Sequence, residues 1–156
     1  MKIKRTPIRR KEAKKILEDA KLRGITFSFE KFNLAEIVEL KEEKLLLIDA
    51  TPTLIIFNDG KIVPHMLSLG KTTKCPAVMV DENAVNPILN GADVMMPGIV
   101  KFNNFKKDDA VAIFSKELTL IAVGVALINS SEIVTGGKGK VILNLHRKED
   151  KFYLTF

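Results

Sequence analysis

The chain has 156 residues, of which 46% are hydrophobic and 28% are charged. This composition excludes general disorder and suits one large domain or two small ones. The longest apolar stretch, residues 118–128, is too short to cross a bilayer, and the basic N-terminus lacks the apolar segment of a secretory signal. Cys75 is the single cysteine, so an intrachain disulfide is excluded, and a cytoplasmic location is the simplest expectation.

The net charge of +6 is concentrated at the N-terminus. Residues 1–23 carry ten Lys or Arg and three Asp or Glu, a local net charge of +7, whereas the rest of the chain is close to neutral. Basic segments bind nucleic acid or other acidic surfaces because neutralised phosphates release their counterions. The same pattern suits a solvated helix face that aids solubility, and charge alone does not separate the two interpretations.

The first half of the chain predicts a small α+β unit that begins with a helix. Thr6 and Pro7 suit the N-cap and first position of this helix, and Gly24 suits the residue just past its end. One face of the helix is apolar and consists of Ile8, Ala13, Ile16, Leu17 and Ala20. The other faces are basic, with Arg9, Arg10, Lys14 and Lys21.

Strands follow this helix. Apolar and polar residues alternate over residues 25–32, which predicts a half-buried strand, whereas residues 34–41 suit either a short helix or a strand. Residues 45–48 and 53–57 predict two more strands. Asn58-Asp59-Gly60-Lys61 then predicts a hairpin turn before residues 62–64.

The second half predicts one helix and several short strands. A polar segment at residues 68–76 places the boundary between a first domain, 1–74, and a second, 75–156. Residues 77–80 predict a strand, and Asp81 predicts the N-cap of a helix that runs to about Leu89. Pro87 removes a backbone hydrogen bond inside this helix, which predicts that the helix is distorted or starts late.

Four further strands are predicted in the second half, at residues 110–114, 119–128, 140–145 and 152–156. Polar connections are predicted at residues 116–117 and 146–151. Several short strands with one helix indicate a small mixed barrel rather than a doubly wound sheet.

The most informative segment is the loop Gly91-Ala92-Asp93-Val94-Met95-Met96-Pro97-Gly98-Ile99. Its glycines reach backbone angles closed to other residues and its proline fixes φ, so the backbone sets the shape of the loop. With the preceding strand and Asp-capped helix, and the later run Ala122-Val123-Gly124-Val125-Ala126, residues 75–153 resemble a PUA domain. This RNA-binding module is named after pseudouridine synthase and archaeosine transglycosylase, and the resemblance implies a six-stranded pseudo-barrel.

The resemblance also implies an RNA-binding surface on this loop. It puts Val94 and Met95 partly inward, and it puts RNA contacts at Gly91, Ala92, Asp93, Pro97 and Gly98. The turn at residues 136–140 offers two cations, Lys138 and Lys140, and in the family the strands near this turn contact RNA. A flexible hairpin tip with solvated lysines explains the same residues equally well. Further cations for RNA are expected on the N-terminal helix, at Arg9, Arg10 and Lys14.

A narrower resemblance covers most of the chain. The hairpin at residues 58–60 and the path from Pro64 to Pro76 resemble the translation-associated family of the T-cell malignancy amplified protein and density-regulated protein partners. In that family a small N-terminal domain precedes the PUA domain. Membership implies binding to the small ribosomal subunit and a role in initiator tRNA delivery or subunit recycling.

No motif predicts catalysis, a cofactor or a metal. Gly70-Lys71-Thr72 imitates the end of a nucleotide-binding loop, but His65 stands where that loop needs a glycine. His65 and His146 fit no metal-ligand spacing, and each is interpreted as a surface or interdomain residue. Cys75 has no neighbour that would activate its thiol.

These patterns predict a non-enzymatic, two-domain RNA-binding protein of α+β fold. The expected partner is structured RNA, either tRNA or rRNA, in a ribosomal or translation-factor complex, with shape and phosphate contacts dominating over base sequence. One alternative is a protein–protein adaptor in a ribonucleoprotein or translation complex. The other is an accessory subunit of an RNA-modifying enzyme.

Overall fold

The computed structural model describes residues 3–153, and the first half of this range forms a small α+β unit. One five-stranded sheet has the order β1-β3-β4-β5-β6, with every neighbouring pair antiparallel, and β2 and β7 pair separately. The elements are β1 (Thr6–Pro7), α1 (Arg10–Lys21), β2 (Thr26–Phe27), β3 (Ala35–Glu39), β4 (Glu43–Ile48), β5 (Thr51–Phe57), β6 (Ile62–Pro64) and β7 (Thr73–Lys74).

The predicted start of α1 is wrong. The helix begins at Arg10 with Arg9 as its N-cap, whereas Thr6 and Pro7 pair with β3 as an edge strand and Ile8 lies outside the helix. Proline is tolerated in an edge strand, because its missing N–H can face away from the neighbouring strand. Thr6 and Pro7 therefore pair with β3 and do not cap the helix. The helix ends as expected: Gly24, with φ of +78°, lies two residues past the C-cap Leu22.

The strand predictions for the first half hold in part. Only Thr26 and Phe27 of the predicted strand at residues 25–32 are extended, and residues 34–41 resolve into the strand β3. The alternation in residues 25–32 comes instead from three aromatic rings that pack on one another in a loop, with centroid distances of 5.4 Å for Phe27–Phe29 and 6.3 Å for Phe29–Phe32. The hairpin turn before β6 is confirmed, with Gly60 at φ of +93°.

The second half is the mixed pseudo-barrel that the sequence predicts. Its six strands have the order β10-β8-β11-β12-β13-β9, in which β8 and β11 are parallel and the other pairs are antiparallel. The elements are β8 (Ala77–Val80), α2 (Glu82–Leu89), β9 (Val94–Met95), β10 (Ile99–Phe102), β11 (Ala110–Phe114), β12 (Leu120–Ala126) and β13 (Lys140–Arg147), and two short 3-10 helices lie at Met96–Gly98 and Ser130–Glu132.

Several boundaries in this half differ from the prediction. Strand β10 was not predicted, and β13 extends to Arg147, so residues 146–147 belong to a strand and not to a polar connection. Phe152 and Tyr153 lie in a turn, and the remainder of the strand predicted at 152–156 lies outside the described residues. Helix α2 starts directly after its cap Asp81, whose Oδ1 accepts a hydrogen bond from Ala84 N at 3.1 Å, so the helix does not start late despite Pro87.

Two hydrophobic clusters form the core, and the first includes residues from both halves of the chain. It joins α1 and the five-stranded sheet to four buried residues of the second half: Ala110, Val123, Val125 and Phe152. The second cluster lies inside the pseudo-barrel and includes Val78, Ile88 and Val94. The boundary between residues 74 and 75 stays a prediction, because side chains from both sides of it share one core.

Two histidines lie at this junction. His65 and His146 are fully buried, with ring centroids 4.7 Å apart. His65 Nδ1 accepts a hydrogen bond from Leu67 N, and its Nε2 lies 3.2 Å from Phe152 O. His146 Nε2 accepts from Met66 N, and its Nδ1 lies 2.8 Å from Asp150 Oδ2. Of the two predicted locations for these histidines, the surface is wrong and the region between the two halves is correct.

The electrostatics of the junction follow from this burial. Burial, together with the nearby His146 ring, lowers the pKa of His65 from 6.5 to about 4, so His65 is neutral at pH 7. Burial opposes ionisation of Asp150, but hydrogen bonds from His146 and from two backbone amides outweigh it and lower the pKa of this carboxyl group.

No helix of the described residues is long and apolar enough to span a membrane.

Candidate nucleic-acid interface

The loop between α2 and β9 is held by backbone hydrogen bonds to the last turn of α2. Gly91 adopts φ of +102°, a conformation that favours glycine, and its N–H donates to Ile88 O at 3.0 Å. Ala92 N donates to Pro87 O at 2.9 Å. The peptide chain therefore reverses its direction immediately after α2, and Ala92 is exposed at this turn.

A side chain on β13 fixes the other side of this turn. Asn144 Nδ2 donates to Ile88 O and to Ala92 O, each at 2.9 Å, and Asn144 N donates to Asp93 Oδ1 at 2.9 Å. The second carboxylate oxygen of Asp93 lies 3.2 Å from Lys140 Nζ. Both oxygens of Asp93 therefore have partners within the protein, and Lys140 remains 61% exposed at its side chain while it pairs with Asp93.

The loop and the lysine-containing turn at residues 136–140 form one continuous surface. Met95 pairs with Lys140 in the β9–β13 ladder, and Met96 N donates to Gly139 O at 2.8 Å. The Met96 side chain covers Gly137 so closely that a Cβ atom at this glycine would lie 2.1 Å from Met96 Sδ. The structure thus brings together two segments that the sequence analysis singled out separately.

The loop presents a mixture of bare backbone and apolar side chains. Val94 is buried, as predicted, but Met95 is 45% exposed, so the prediction of a partly inward Met95 is wrong. Successive residues of a strand point to opposite faces, and the core takes Val94 from the two-residue strand β9. Pro97 is exposed, whereas Gly98 is half-buried beside Ala84, and its carbonyl accepts from Asp81 N at 2.9 Å.

Arg147 is a third cation at this surface, and the sequence analysis missed it. A Cβ atom built on Gly91 would lie 3.4 Å from Arg147 Cζ, so the guanidinium group rests against the backbone of the loop. The alternation of apolar and polar residues over residues 143–146 was the available signal, because it continues β13 past Leu145. We define the candidate RNA surface as nine exposed or half-buried residues of this region: Gly91, Ala92, Asp93, Met95, Pro97, Gly98, Lys138, Lys140 and Arg147.

The predicted cations of α1 lie on a different part of the fold. Arg9 and Lys14 are exposed, and α1 packs against the first core cluster, whereas the loop at residues 91–99 packs against the second. Arg10 also serves the fold, because its guanidinium donates to Phe32 O at 3.3 Å and lies 5.8 Å from the centre of the Phe32 ring. Among residues 3–153, no hydrogen bond or ion pair joins these cations to the candidate RNA surface.

Comparisons with known proteins identify both halves of the chain. The PUA domain family matches residues 76–147, and a domain of unknown function, DUF1947, matches residues 4–72. The crystal structure of a hypothetical protein from Pyrococcus horikoshii OT3 superposes with a TM-score of 0.79 at 28% sequence identity, and the match covers 97% of this chain and 98% of that chain. The predicted α+β fold with a PUA pseudo-barrel is therefore confirmed.

Three curated relatives differ in how much of their length this chain matches. A probable tRNA pseudouridine synthase B of Saccharolobus solfataricus is 38% identical over 76 residues, which are 49% of this chain and only 30% of that protein. Translation machinery-associated protein 20 of Schizosaccharomyces pombe is 29% identical over 134 residues, 78% of this chain and 72% of that protein. The uncharacterized protein MJ1432 of Methanocaldococcus jannaschii is 33% identical over 155 residues, 96% of this chain and 95% of that protein. The chain belongs to the same family as MJ1432, and it combines a DUF1947 domain with a PUA domain.

Proposed function

We propose that this protein binds structured RNA through its PUA domain and serves translation without catalysing a reaction. The observation that carries the proposal is the continuous surface formed by the loop at residues 91–99 and the turn at residues 136–140. The proposed RNA contacts are the candidate RNA surface and, on a separate part of the fold, the α1 cations Arg9, Arg10 and Lys14.

The chemistry of the candidate RNA surface suits a nucleic-acid backbone. Ala92 and the neighbouring glycines leave the peptide backbone accessible, so a sugar–phosphate chain can approach closely. Lys138 and Lys140 supply compact positive charges, and Arg147 supplies a planar guanidinium group that can bind two phosphate oxygens at once. Such contacts recognise the shape and charge of an RNA rather than its base sequence.

The relatives indicate the class of RNA. One is a translation machinery-associated protein, and another is a probable tRNA pseudouridine synthase that matches this chain in only 30% of its own length. We therefore propose tRNA or rRNA as the ligand, with the small ribosomal subunit or a translation factor as the wider assembly. Because most of the synthase has no counterpart here, its activity is not carried over to this chain.

Binding to a tRNA and to rRNA fragments, measured by fluorescence anisotropy over a salt series, tests this proposal. The logarithm of the affinity is expected to fall linearly with the logarithm of salt concentration between about 50 and 200 mM, because each phosphate contact releases counterions. Undetectable binding of both RNAs at the lowest salt concentration would contradict the proposal.

Two variants locate the interface. Lys138→Ala and Arg147→Ala are each expected to weaken binding, since each removes one phosphate contact. Each is also expected to reduce the slope of log affinity against log salt concentration by about 1. Lys41→Ala is the matched control, because Lys41 is an exposed lysine in the β3–β4 hairpin of the first half. An equal loss of affinity in all three variants would show that only the net charge matters and that the surface is placed wrongly.

A further inference from the structure

Leu118 occupies a position that neither burial nor local backbone preference explains. It ends the three-residue turn 116–118 in the connection between β11 and β12, and this turn is closed by hydrogen bonds from Ser115 N to Thr119 O (2.9 Å) and from Leu118 N to Ser115 O (3.0 Å). Its φ of +63° lies in the left-handed region, which glycine favours at the last position of such a loop. The residue is also 70% exposed.

The other described residues with positive φ do not share this combination. Apart from glycines they are Asp49, Ala50, Asp108 and Glu149, which are small or charged. Leu118 is thus the one large apolar side chain among residues 3–153 that is held in this conformation. A strained backbone that presents an apolar side chain to solvent is an outlier from which a functional role can be inferred.

Leu118 borders an apolar groove of about 370 Å³ on the pseudo-barrel. The groove lies between β8, the end of β10 and the end of β11, and Phe102 at its edge is 42% exposed. Phe114 also lines a second groove of about 250 Å³, together with Leu69 and Leu120. We define the docking patch by the four large apolar side chains that line the first groove: Met79, Phe102, Phe114 and Leu118.

The rim of the docking patch is basic. Lys101 lines the first groove, Lys74 lines the second, and Lys116 lies in the same loop as Leu118. All three lysines are exposed, and none forms an ion pair with another residue in the range 3–153. The loop residue Glu117 is the nearest acid in sequence.

We propose that the docking patch binds an acidic segment of a partner protein that inserts apolar side chains beside Phe114. Two apolar grooves that share Phe114 suit two apolar side chains of such a segment, and carboxylates flanking these side chains complement the three lysines. The patch lies on β8, β10, β11 and the β11–β12 connection, whereas the candidate RNA surface lies on the loop at residues 91–99, the turn at residues 136–140 and β13. A protein partner and an RNA therefore bind different parts of the same domain, and these parts adjoin between Phe102 and Pro97.

Peptides selected from a random displayed library on the intact protein test this inference. We expect them to share apolar residues flanked by Asp or Glu, and to bind the variant Leu118→Gly at least about tenfold more weakly. This variant relieves the left-handed strain, so its Tm is expected to equal or exceed that of the wild type, which separates lost binding from lost folding. Leu22→Ala is the matched control, because Leu22 is 77% exposed at the end of α1.

A charge reversal tests the basic rim independently. A library selected on the double variant Lys101→Glu/Lys116→Glu is expected to yield peptides whose apolar residues are flanked by Lys or Arg instead. Phe102 is left unchanged, because it also borders a groove that reaches Pro97 in the candidate RNA surface.

Three results would overturn the inference. The first is a selection without any shared pattern, or peptides that bind Leu118→Gly as tightly as the wild type. The second is a loss of tRNA affinity in Leu118→Gly while peptide binding is unchanged, which would make the patch an RNA surface. The third is self-association of the wild type that Leu118→Gly abolishes in sedimentation velocity, which would make the occupant a second copy of this chain.

Discussion

At the scale of single residues, Asn144 shows how a side chain on one strand fixes a distant loop. Its amide group bonds to carbonyls that lie 52 and 56 positions away in sequence, at Ala92 and Ile88. The Asp81 cap, in contrast, acts over three residues and was predicted from sequence. Asn144 and Arg147 could not be predicted in the same way, because their roles depend on where β13 meets the loop and not on a local pattern.

Substitution of Asn144 tests its role in holding the loop. Asn144→Ala is expected to lower the free energy of unfolding by about 1–3 kcal/mol, because two carbonyl groups lose their donor. Asn144→Asp is expected to cost more, since its carboxylate cannot donate and would face both carbonyls and the neighbouring Asp93. Urea denaturation measures both changes, with the exposed Asn104→Ala as control. An Asn144→Asp protein as stable as the wild type would contradict this account.

At the scale of elements, the sequence predictions failed where tertiary pairing competed with a local signal. Thr6 and Pro7 match the sequence pattern of a helix cap, but they pair with the free edge of β3 and form a strand instead. Strand β10 escaped prediction because a register shift between Ile99 and Lys101 breaks its alternation. The strand β8 and the helix α2 were predicted correctly, since clear apolar patterns and the Asp81 cap mark their ends.

The pairing of β12 with β13 depends on Gly124. A Cβ atom at this position would lie 1.9 Å from Leu143 O, in the backbone of the neighbouring strand. Gly124→Ala is therefore expected to lower the free energy of unfolding by at least about 3 kcal/mol, because the backbone itself must move. Chemical denaturation followed by circular dichroism measures the loss.

Gly70→Ala is the comparison variant for this prediction. Gly70 has φ of +82° and no atom within 4 Å of an added Cβ, so only backbone strain of about 1–2 kcal/mol is expected. If Gly124→Ala were no more destabilising than Gly70→Ala, the close approach of the two strands would not be the reason for this glycine.

At the scale of the whole molecule, the buried His65 is expected to make the contact between the two halves sensitive to acid. His65 belongs to the first half and contacts Phe152 and His146 of the second. Its folded-state pKa of about 4 lies below the ordinary value of 6.5, so the unfolded chain binds this proton more readily than the folded chain does. Stability is therefore lost as pH falls from about 6.5 to about 4, and this group adds no further loss at lower pH.

The size of this effect follows from the shift. A lowering of the His65 pKa from 6.5 to about 4 corresponds to about 3 kcal/mol of stability at neutral pH, at about 1.4 kcal/mol per unit. Urea denaturation at several pH values across this window is expected to show the loss. His65→Gln is expected to be less stable at pH 7 but to flatten the profile, and an unchanged slope in this variant would assign the acid sensitivity to other groups.

Because the two halves share one core, the PUA half of this chain is not expected to fold stably when it is joined to an unrelated domain. Ala110, Val123, Val125 and Phe152 are buried by contact with the first core cluster, so residues 75–156 alone would present an apolar face to solvent. We therefore expect a protein that carries such a half without this N-terminal half to need another element that covers the same apolar face. In this chain the N-terminal half covers that apolar face, and we expect the two halves to be inherited together.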